Sequence, residues 1–109
     1  PIQCEYYALE GLSDLLHTVN LVQERLNPEL AMEGVVFTMF DARTNLSNQV
    51  VENVKNYLGQ NIYKTVIPRN VRLAEAPSYG QPINVYDPKS AGAEAYAMLA
   101  DEVIKRKEV

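Results

Sequence analysis

Hydrophobic residues recur along this chain in two patterns, one with the spacing of an amphipathic helix and one that forms short continuous runs. Apolar positions three and four residues apart predict a helix over residues 8–26. The same spacing predicts a second helix over residues 46–58 and a third near the carboxyl terminus, capped by Ser90 or Asp87. Short apolar runs predict strands at residues 1–4, 35–40 and 62–67.

The helical spacing also predicts which side chains face a core. The predicted core faces are Leu9, Leu12, Leu15, Leu16, Val19, Val22 and Leu26 in the first helix, Leu46, Val50, Val51, Val54, Tyr57 and Leu58 in the second, and Ala93, Tyr96, Ala97, Ala100, Val103 and Ile104 in the third.

Three basic residues, Lys105, Arg106 and Lys107, form a cluster at the end of the third helix. We interpret this cluster as a solvated helix end, because cations are favourable near the negative end of the helix dipole. An accessory DNA contact is the alternative.

Proline and glycine mark where these elements end. Pro28 follows the first helix, Gly59 ends the second, and Pro68 stops the third strand. Residues 69–88 contain three prolines and one glycine, which exclude a long helix, and only residues 71–76 are expected to form a short one.

The order of the predicted elements is strand, helix, strand, helix, strand, long loop and helix. Strands that alternate with helices form a parallel sheet with right-handed crossovers, so we assign residues 1–109 to the α/β class as a single domain. Ligands of such sheets bind beyond the carboxyl ends of the strands. We therefore expect any site to be built from residues 3–7, 41–45 and 68–75, which follow strand ends.

Composition and charge limit the possible cellular locations and binding partners of this chain. The net charge of the 109 residues is −4, which argues against nucleic acid, but residues 35–90 contain six basic and four acidic residues. Cys4 is the only cysteine, so an intrachain disulfide is excluded. The apolar stretches are too short to cross a bilayer and no signal peptide is recognised, so we expect a cytoplasmic protein without membrane contact.

The sequence contains no catalytic constellation. A G-x-x-x-x-G-K-[ST] loop, which would cradle phosphates, is absent. His17 is the only histidine and is expected on a helix surface, and Cys4 is expected to be a small buried side chain. We therefore predict no catalytic residue and no metal site within this chain.

Four segments stand out as whole motifs. They are PIQCEYYALEGL (residues 1–12), TMFDARTNL (38–46), IPRNVRLAEAPS (67–78) and YDPKSAGA (86–93). In order and spacing they resemble the ParA/Soj family of chromosome- and plasmid-partitioning ATPases. The first is similar to the stretch after the Walker B region, and the third is similar to the most recognisable C-terminal motif of the family.

The resemblance implies the C-terminal part of a P-loop NTPase-like three-layer fold. It also implies a nucleoid-associated ATPase that uses ATP and Mg²⁺, binds non-specific DNA as an ATP-dependent dimer and is stimulated by a ParB-type partner. The chain begins at Pro1 and lacks the P-loop, the signature lysine and the Walker aspartates of the family. We therefore expect an inactive fragment that binds no ATP or Mg²⁺ by itself and self-associates through an unpaired sheet edge.

The resemblance places Pro68, Arg69 and Asn70 beside the adenine. From the residues alone, a tight loop that merely stops the strand is the alternative. Arg43 and Arg72 fall at DNA-binding positions of the family, and such arginines can contact phosphates without reading bases. For these two residues the alternative is an ion pair, with Asp41 and with Glu75 respectively.

Glu5, Tyr6 and Tyr7 form a candidate dimer or partner interface, because tyrosine is enriched at protein contacts. The alternative is a capped helix start packed in the core.

Two other functions compete with the partition ATPase: a MinD-like cell-division ATPase, and a stand-alone protein-interaction module. MinD-type chains end in a basic amphipathic membrane helix, and no bulky apolar residues follow Lys105–Lys107 to form one.

Overall fold

The structure is a computed structural model that describes residues 1–59 and 61–107. The predicted alternation of strands and helices is confirmed. In chain order the elements are β1 (Ile2–Gln3), α1 (Ala8–Arg25), β2 (Val35–Phe40), α2 (Asn45–Leu58), β3 (Ile62–Pro68), α3 (Val71–Glu75), a 3₁₀ turn (Ala76–Tyr79), α4 (Ile83–Tyr86) and α5 (Ala91–Lys107).

The three strands form one parallel sheet in the order β1-β2-β3. Ile2 pairs with Phe37 at one side of the central strand, and Phe40 pairs with Pro68 at the other. Each crossover passes through a helix, as parallel neighbours require. The predicted α/β class is therefore confirmed. Because the strands are parallel, their three carboxyl ends lie together along one edge of the sheet.

The pairing of β2 with β3 contains two irregularities. Val35 pairs with Ile62 and Phe37 with Val66, so two steps along β2 correspond to four along β3. Near the other end the extra residue belongs to β2, where Met39 has a φ of 53°. An inserted residue reverses the alternation of side chains, and Phe40 consequently packs in the same core as Phe37.

The main core lies between the sheet and the pair α1 and α2. Its buried residues are Cys4, Leu12, Val35, Phe37, Val50 and Val54. Cys4 is therefore the small buried residue expected, and His17 is exposed as predicted. The predicted core faces were too wide, because Leu15, Leu26 and Tyr57 are exposed.

Helix α5 packs against β3 and α3, and its buried residues are small. Gly92, Ala93 and Ala95 are buried, whereas Tyr96 and Ile104 of the predicted face are exposed. The predicted face of α5 was therefore wrong in part. The physical reason is that α5 is buried at its small residues, of which Gly92 lies against the Leu73 side chain of α3, whereas the bulky residues lie outside this contact.

The basic end of α5 is anchored rather than simply solvated. The Arg106 Nη2 donates to the carbonyl oxygen of Ile62 at 2.6 Å, and its guanidinium lies 4.0 Å from the centre of the Tyr63 ring. The same ring lies against Gly34, where a Cβ atom would collide with it. Arg106 is therefore exposed, as a solvated helix end requires, but it also makes two contacts with β3 that were not predicted.

Side-chain caps and a glycine define the helix ends, and the predictions for Gly59 and Ser90 are confirmed. The Thr44 Oγ1 accepts from the Ser47 backbone N–H at 3.2 Å, and Gly59 ends α2 with a φ of 67°. Of the two candidate caps for α5, Ser90 accepts from the backbone N–H of Ala93 at 3.1 Å.

The segment predicted as irregular contains more regular structure than expected. Helix α3 confirms the short helix expected there, but the 3₁₀ turn and α4 were not predicted. Their lengths of four residues each explain this, because a single turn leaves no periodicity to detect.

Among the described residues, no helix combines the length and the apolar character that crossing a membrane requires.

Candidate functional site

The carboxyl edge of the sheet brings together the three predicted site segments. The backbone N–H of Cys4 donates to the carbonyl of Thr38 at 2.9 Å, which fixes the segment after β1 against β2. The backbone N–H of Arg69 donates to the carbonyl of Phe40, also at 2.9 Å. Loops that are hydrogen-bonded to the neighbouring strand keep their side chains in a defined position.

The turn at Pro68, Arg69 and Asn70 is rigid for local reasons. Asn70 has extended backbone, and its Oδ1 accepts from the backbone N–H groups of Arg72 at 3.0 Å and Leu73 at 3.4 Å. This amide therefore caps α3. Within the part of the chain that the structure describes, the Asn70 Nδ2 has no hydrogen-bond partner and remains free to donate.

Pro68, Arg69 and Asn70 line a common cavity of about 540 Å³, which is within the size range of small-molecule sites. Tyr96 of α5 reaches the same cavity, although its place in the sequence had suggested a core residue. No local signal in the sequence pairs this tyrosine with the turn after β3. The lining is completed by Pro1, Thr38, Met39, Ile67, Val71, Leu73 and Ala74.

An ion pair joins two of the predicted site segments. The Arg69 Nη1 lies 2.9 Å from the Glu5 Oε1. It connects the turn after β3 with the turn after β1, on either side of the central strand. The predicted nucleotide loop and the predicted partner patch are therefore in direct contact.

Tyr6 and Tyr7 lie on the surface. Their side chains are 76% and 72% exposed, and the two rings meet edge to face with centres 5.0 Å apart. The alternative in which these residues pack into the core is therefore excluded. Tyr7 precedes α1 without a side-chain cap.

Arg43 forms a two-point ion pair with Asp41. Its Nε and Nη2 atoms lie 3.0 Å and 3.1 Å from the two carboxylate oxygens, and the arginine side chain is 90% exposed. The hydrogen bonds from the side chain and backbone of Arg43 lower the pKa of Asp41, and the same carboxylate raises the pKa of Arg43. The ion pair expected as an alternative for Arg43 is observed.

Arg72 is held by two carboxylates. Its Nη1 lies 3.0 Å from the Glu75 Oε2 and its Nε lies 3.4 Å from the Asp87 Oδ2. The hydrogen bond from Tyr86 and then the bond from Arg72 lower the pKa of Glu75. The ion pair expected as an alternative for Arg72 is also observed, while its side chain remains 55% exposed.

Comparison with known proteins identifies the family of the chain. The profile of the CobQ/CobB/MinD/ParA nucleotide binding domain matches residues 4–83. The chain is similar to the sporulation initiation inhibitor protein Soj of Bacillus subtilis (strain 168), with 67% identity over 103 residues, which is 94% of this chain and 41% of that protein.

Two further relatives agree. The chromosome partitioning protein ParA of Myxococcus xanthus (strain DK1622) is 56% identical over 106 residues, 97% of this chain and 38% of that protein. The chromosome-partitioning ATPase Soj of Treponema pallidum (strain Nichols) is 53% identical over 106 residues, 97% of this chain and 42% of that protein.

The chain spans about two fifths of the length of these curated relatives. The match covers nearly all of this chain, including the turns after the three strands. The resemblance to partitioning ATPases is thereby confirmed, and the chain belongs to the ParA/Soj proteins of the CobQ/CobB/MinD/ParA nucleotide-binding family.

Proposed function

We propose that this chain supplies the adenine-side loop and the DNA-contacting arginines of an ATP-dependent chromosome-partitioning protein. One observation carries the proposal. In a chain of this family, Arg43 and Arg72 are both exposed on segments that follow neighbouring strands at one edge of the sheet.

The turn after β3 suits a purine base. Pro68 offers a rigid apolar surface, and the free Nδ2 of Asn70 can donate to a ring nitrogen of the base. The cavity beside them is large enough for an adenosine group. ATP and Mg²⁺ are the cofactors of the proposed activity, and we assign only the base to this chain.

The arginines suit non-specific DNA. Phosphate contacts supply affinity that does not depend on base sequence. Asp41 engages the Nε and Nη2 atoms of Arg43, so the Nη1 atom has N–H groups left for a phosphate oxygen. An ion pair in the free protein therefore orients the arginine without consuming all of its donors.

A ParB-type partner is proposed for the patch of Glu5, Tyr6 and Tyr7. Exposed aromatic side chains are enriched at protein interfaces. This patch also contacts the turn after β3 through Arg69, which would bring a partner beside the proposed nucleotide.

The DNA assignment is tested in the protein at its full native length, with ATP present. Arg43→Glu and Arg72→Glu are each expected to weaken duplex binding for all sequences alike and to flatten the dependence of log affinity on log salt by about one unit. Arg25→Glu is the matched control, because Arg25 is exposed at the far end of α1. ATP binding by each variant is measured in parallel.

Wild-type affinity and salt dependence in both arginine variants would contradict the DNA assignment. An equal loss in the Arg25 variant would show an effect of net charge rather than of position. Co-sedimentation with vesicles of anionic lipid, if it exceeded DNA binding, would favour the MinD-like function instead.

A further inference from the structure

Arg72 belongs to a four-residue cluster on the segment after β3. The Tyr86 hydroxyl donates to the Glu75 Oε2 at 2.7 Å, and the Arg72 Nη1 donates to the same oxygen at 3.0 Å. The Asp87 carboxylate lies 3.4 Å from the Arg72 Nε. Two carboxylates therefore hold the guanidinium from two directions.

The guanidinium keeps donors for another partner. Nε faces Asp87 and one Nη1 hydrogen faces Glu75, whereas Nη2 has no hydrogen-bond partner among residues 1–59 and 61–107. A free arginine side chain loses much rotamer freedom when it binds a phosphate. A guanidinium that is already fixed by other residues loses less conformational entropy when it binds. The residues that fix it therefore affect the affinity without contacting the ligand.

Tyr86 is the neutral member of this cluster. Its ring stacks on that of Tyr79, with centres 5.1 Å apart and planes at 24°. Its hydroxyl donates to Glu75, so that one carboxylate oxygen of Glu75 is shared by Tyr86 and Arg72. Removal of this hydroxyl would leave every formal charge of the cluster in place.

We propose that Tyr86 is a positioning residue for DNA binding, which acts by holding Glu75 in the orientation that presents the Arg72 guanidinium to a phosphate. This inference rests on the proposed DNA contact of Arg72. It predicts that a neutral side chain outside the DNA contact changes affinity through geometry alone.

The protonation states agree with this role. The hydrogen bond from the Tyr86 hydroxyl to Glu75 raises the pKa of Tyr86, and partial burial of the hydroxyl raises it further. The hydroxyl therefore keeps its proton at neutral pH. The pKa of Glu75 is lowered, first by the bond from Tyr86 and then by the bond from Arg72. The cluster therefore keeps one arrangement of donors and acceptors at neutral pH.

The test uses Tyr86→Phe in the protein at its full native length, with a non-specific DNA duplex and ATP. Phenylalanine keeps the ring and its stacking but removes the donor. We expect the Kd for DNA to rise about threefold to tenfold with an unchanged salt slope, because the donor that orients the Glu75 carboxylate is lost while the Arg72 guanidinium and every formal charge remain. Tyr79→Phe is the matched control, because no hydrogen bond of the Tyr79 hydroxyl is found in the described residues, and we expect wild-type affinity.

A double-mutant cycle separates positioning from a general loss of structure. In an Arg72→Ala background, Tyr86→Phe should have no further effect on the Kd, because the guanidinium that it positions is gone. An equal rise in Kd in both backgrounds, or wild-type affinity of Tyr86→Phe, would overturn the inference.

The DNA contact of Arg72 and the positioning role of Tyr86 are contradicted by different results. If Arg72→Ala binds DNA like the wild type, the DNA contact of Arg72 is wrong and the role of Tyr86 falls with it. If Arg72→Ala binds weakly while Tyr86→Phe binds normally, only the positioning role is wrong. Thermal unfolding of each variant checks that the fold is retained.

Discussion

The carboxylate of Glu102 in α5 accepts a hydrogen bond from the backbone N–H of Lys64 in β3 at 2.7 Å. Its second oxygen accepts from the N–H of Thr65 at 2.9 Å. Two consecutive N–H groups can meet one carboxylate here because β3 has extra residues between Ile62 and Val66. Glu102 therefore satisfies backbone donors that the irregular strand cannot pair with β2.

Replacement of this carboxylate should destabilise the protein. In Glu102→Gln one amide oxygen remains, but the –NH₂ group faces a backbone N–H and cannot accept from it. We expect a loss of about 2 kcal/mol in the free energy of unfolding and faster amide hydrogen exchange at Lys64 and Thr65. Asp101→Asn, on the exposed side of the same helix, is the control and should change neither quantity.

The same carboxylate should contribute to acid sensitivity. Burial alone would raise the pKa of Glu102, but the hydrogen bonds from Lys64 and Thr65 outweigh it and lower the pKa. Since the folded pKa is below the unfolded value of about 4.3, the stabilisation is complete above that pH and disappears as the pH falls through the folded pKa.

The measurement is the urea midpoint of the wild type and of Glu102→Gln at a series of pH values from neutral to acid. The gap between the two proteins should be constant at neutral pH and should narrow below about pH 4.3. A gap that stays the same in acid would show that the charge of Glu102 does not stabilise the fold.

Gly92 should not tolerate a side chain. A Cβ atom there would lie 2.5 Å from the Cγ of Leu73, which joins α5 to α3. We expect Gly92→Ala to cost about 1–3 kcal/mol of unfolding free energy. Gly11→Ala is the matched control in α1: nothing lies within 4 Å of its added methyl group, and it should stabilise by about 0.5–1 kcal/mol. Equal stabilisation by both changes would contradict the packing of Leu73.

Self-association of the 109-residue chain remains a prediction. The outer edge of β1 pairs with no other strand among the described residues, and Leu15 lies exposed beside it at the border of two cavities. We expect sedimentation equilibrium at micromolar concentration to show a dimer or larger species, and Leu15→Glu to shift it toward monomer. A single monomeric species of the wild type would contradict this.

The sequence was sufficient for the parts of the fold that depend on local periodicity. Strand–helix alternation predicted the parallel sheet, Gly59 ends α2 as predicted, and Ser90 caps the start of α5 as predicted. The exposure of Tyr57 and Tyr96 was missed, because periodicity defines a helix face but not how much of that face a narrow sheet covers.

The candidate site could be predicted as a set of segments but not as a set of contacts. Strand ends identified the turns that contain Glu5, Arg43 and Arg69, since parallel strands share one edge. The Glu5–Arg69 pair joins residues 64 positions apart, and no local pattern in the sequence signals it. The role of Arg106 was missed for the same reason, because its partner Ile62 is 44 positions away.

The Glu5–Arg69 ion pair has a consequence for cooperativity. A ligand that engages Arg69 frees Glu5, and a partner that engages Glu5 frees Arg69, so each binding event lowers the cost of the other. Linkage makes this coupling equal in both directions. Both side chains are partly exposed, and such pairs contribute little, which limits the mutual enhancement to about fivefold. A larger coupling between the nucleotide loop and the Tyr6–Tyr7 patch would require contacts other than this pair.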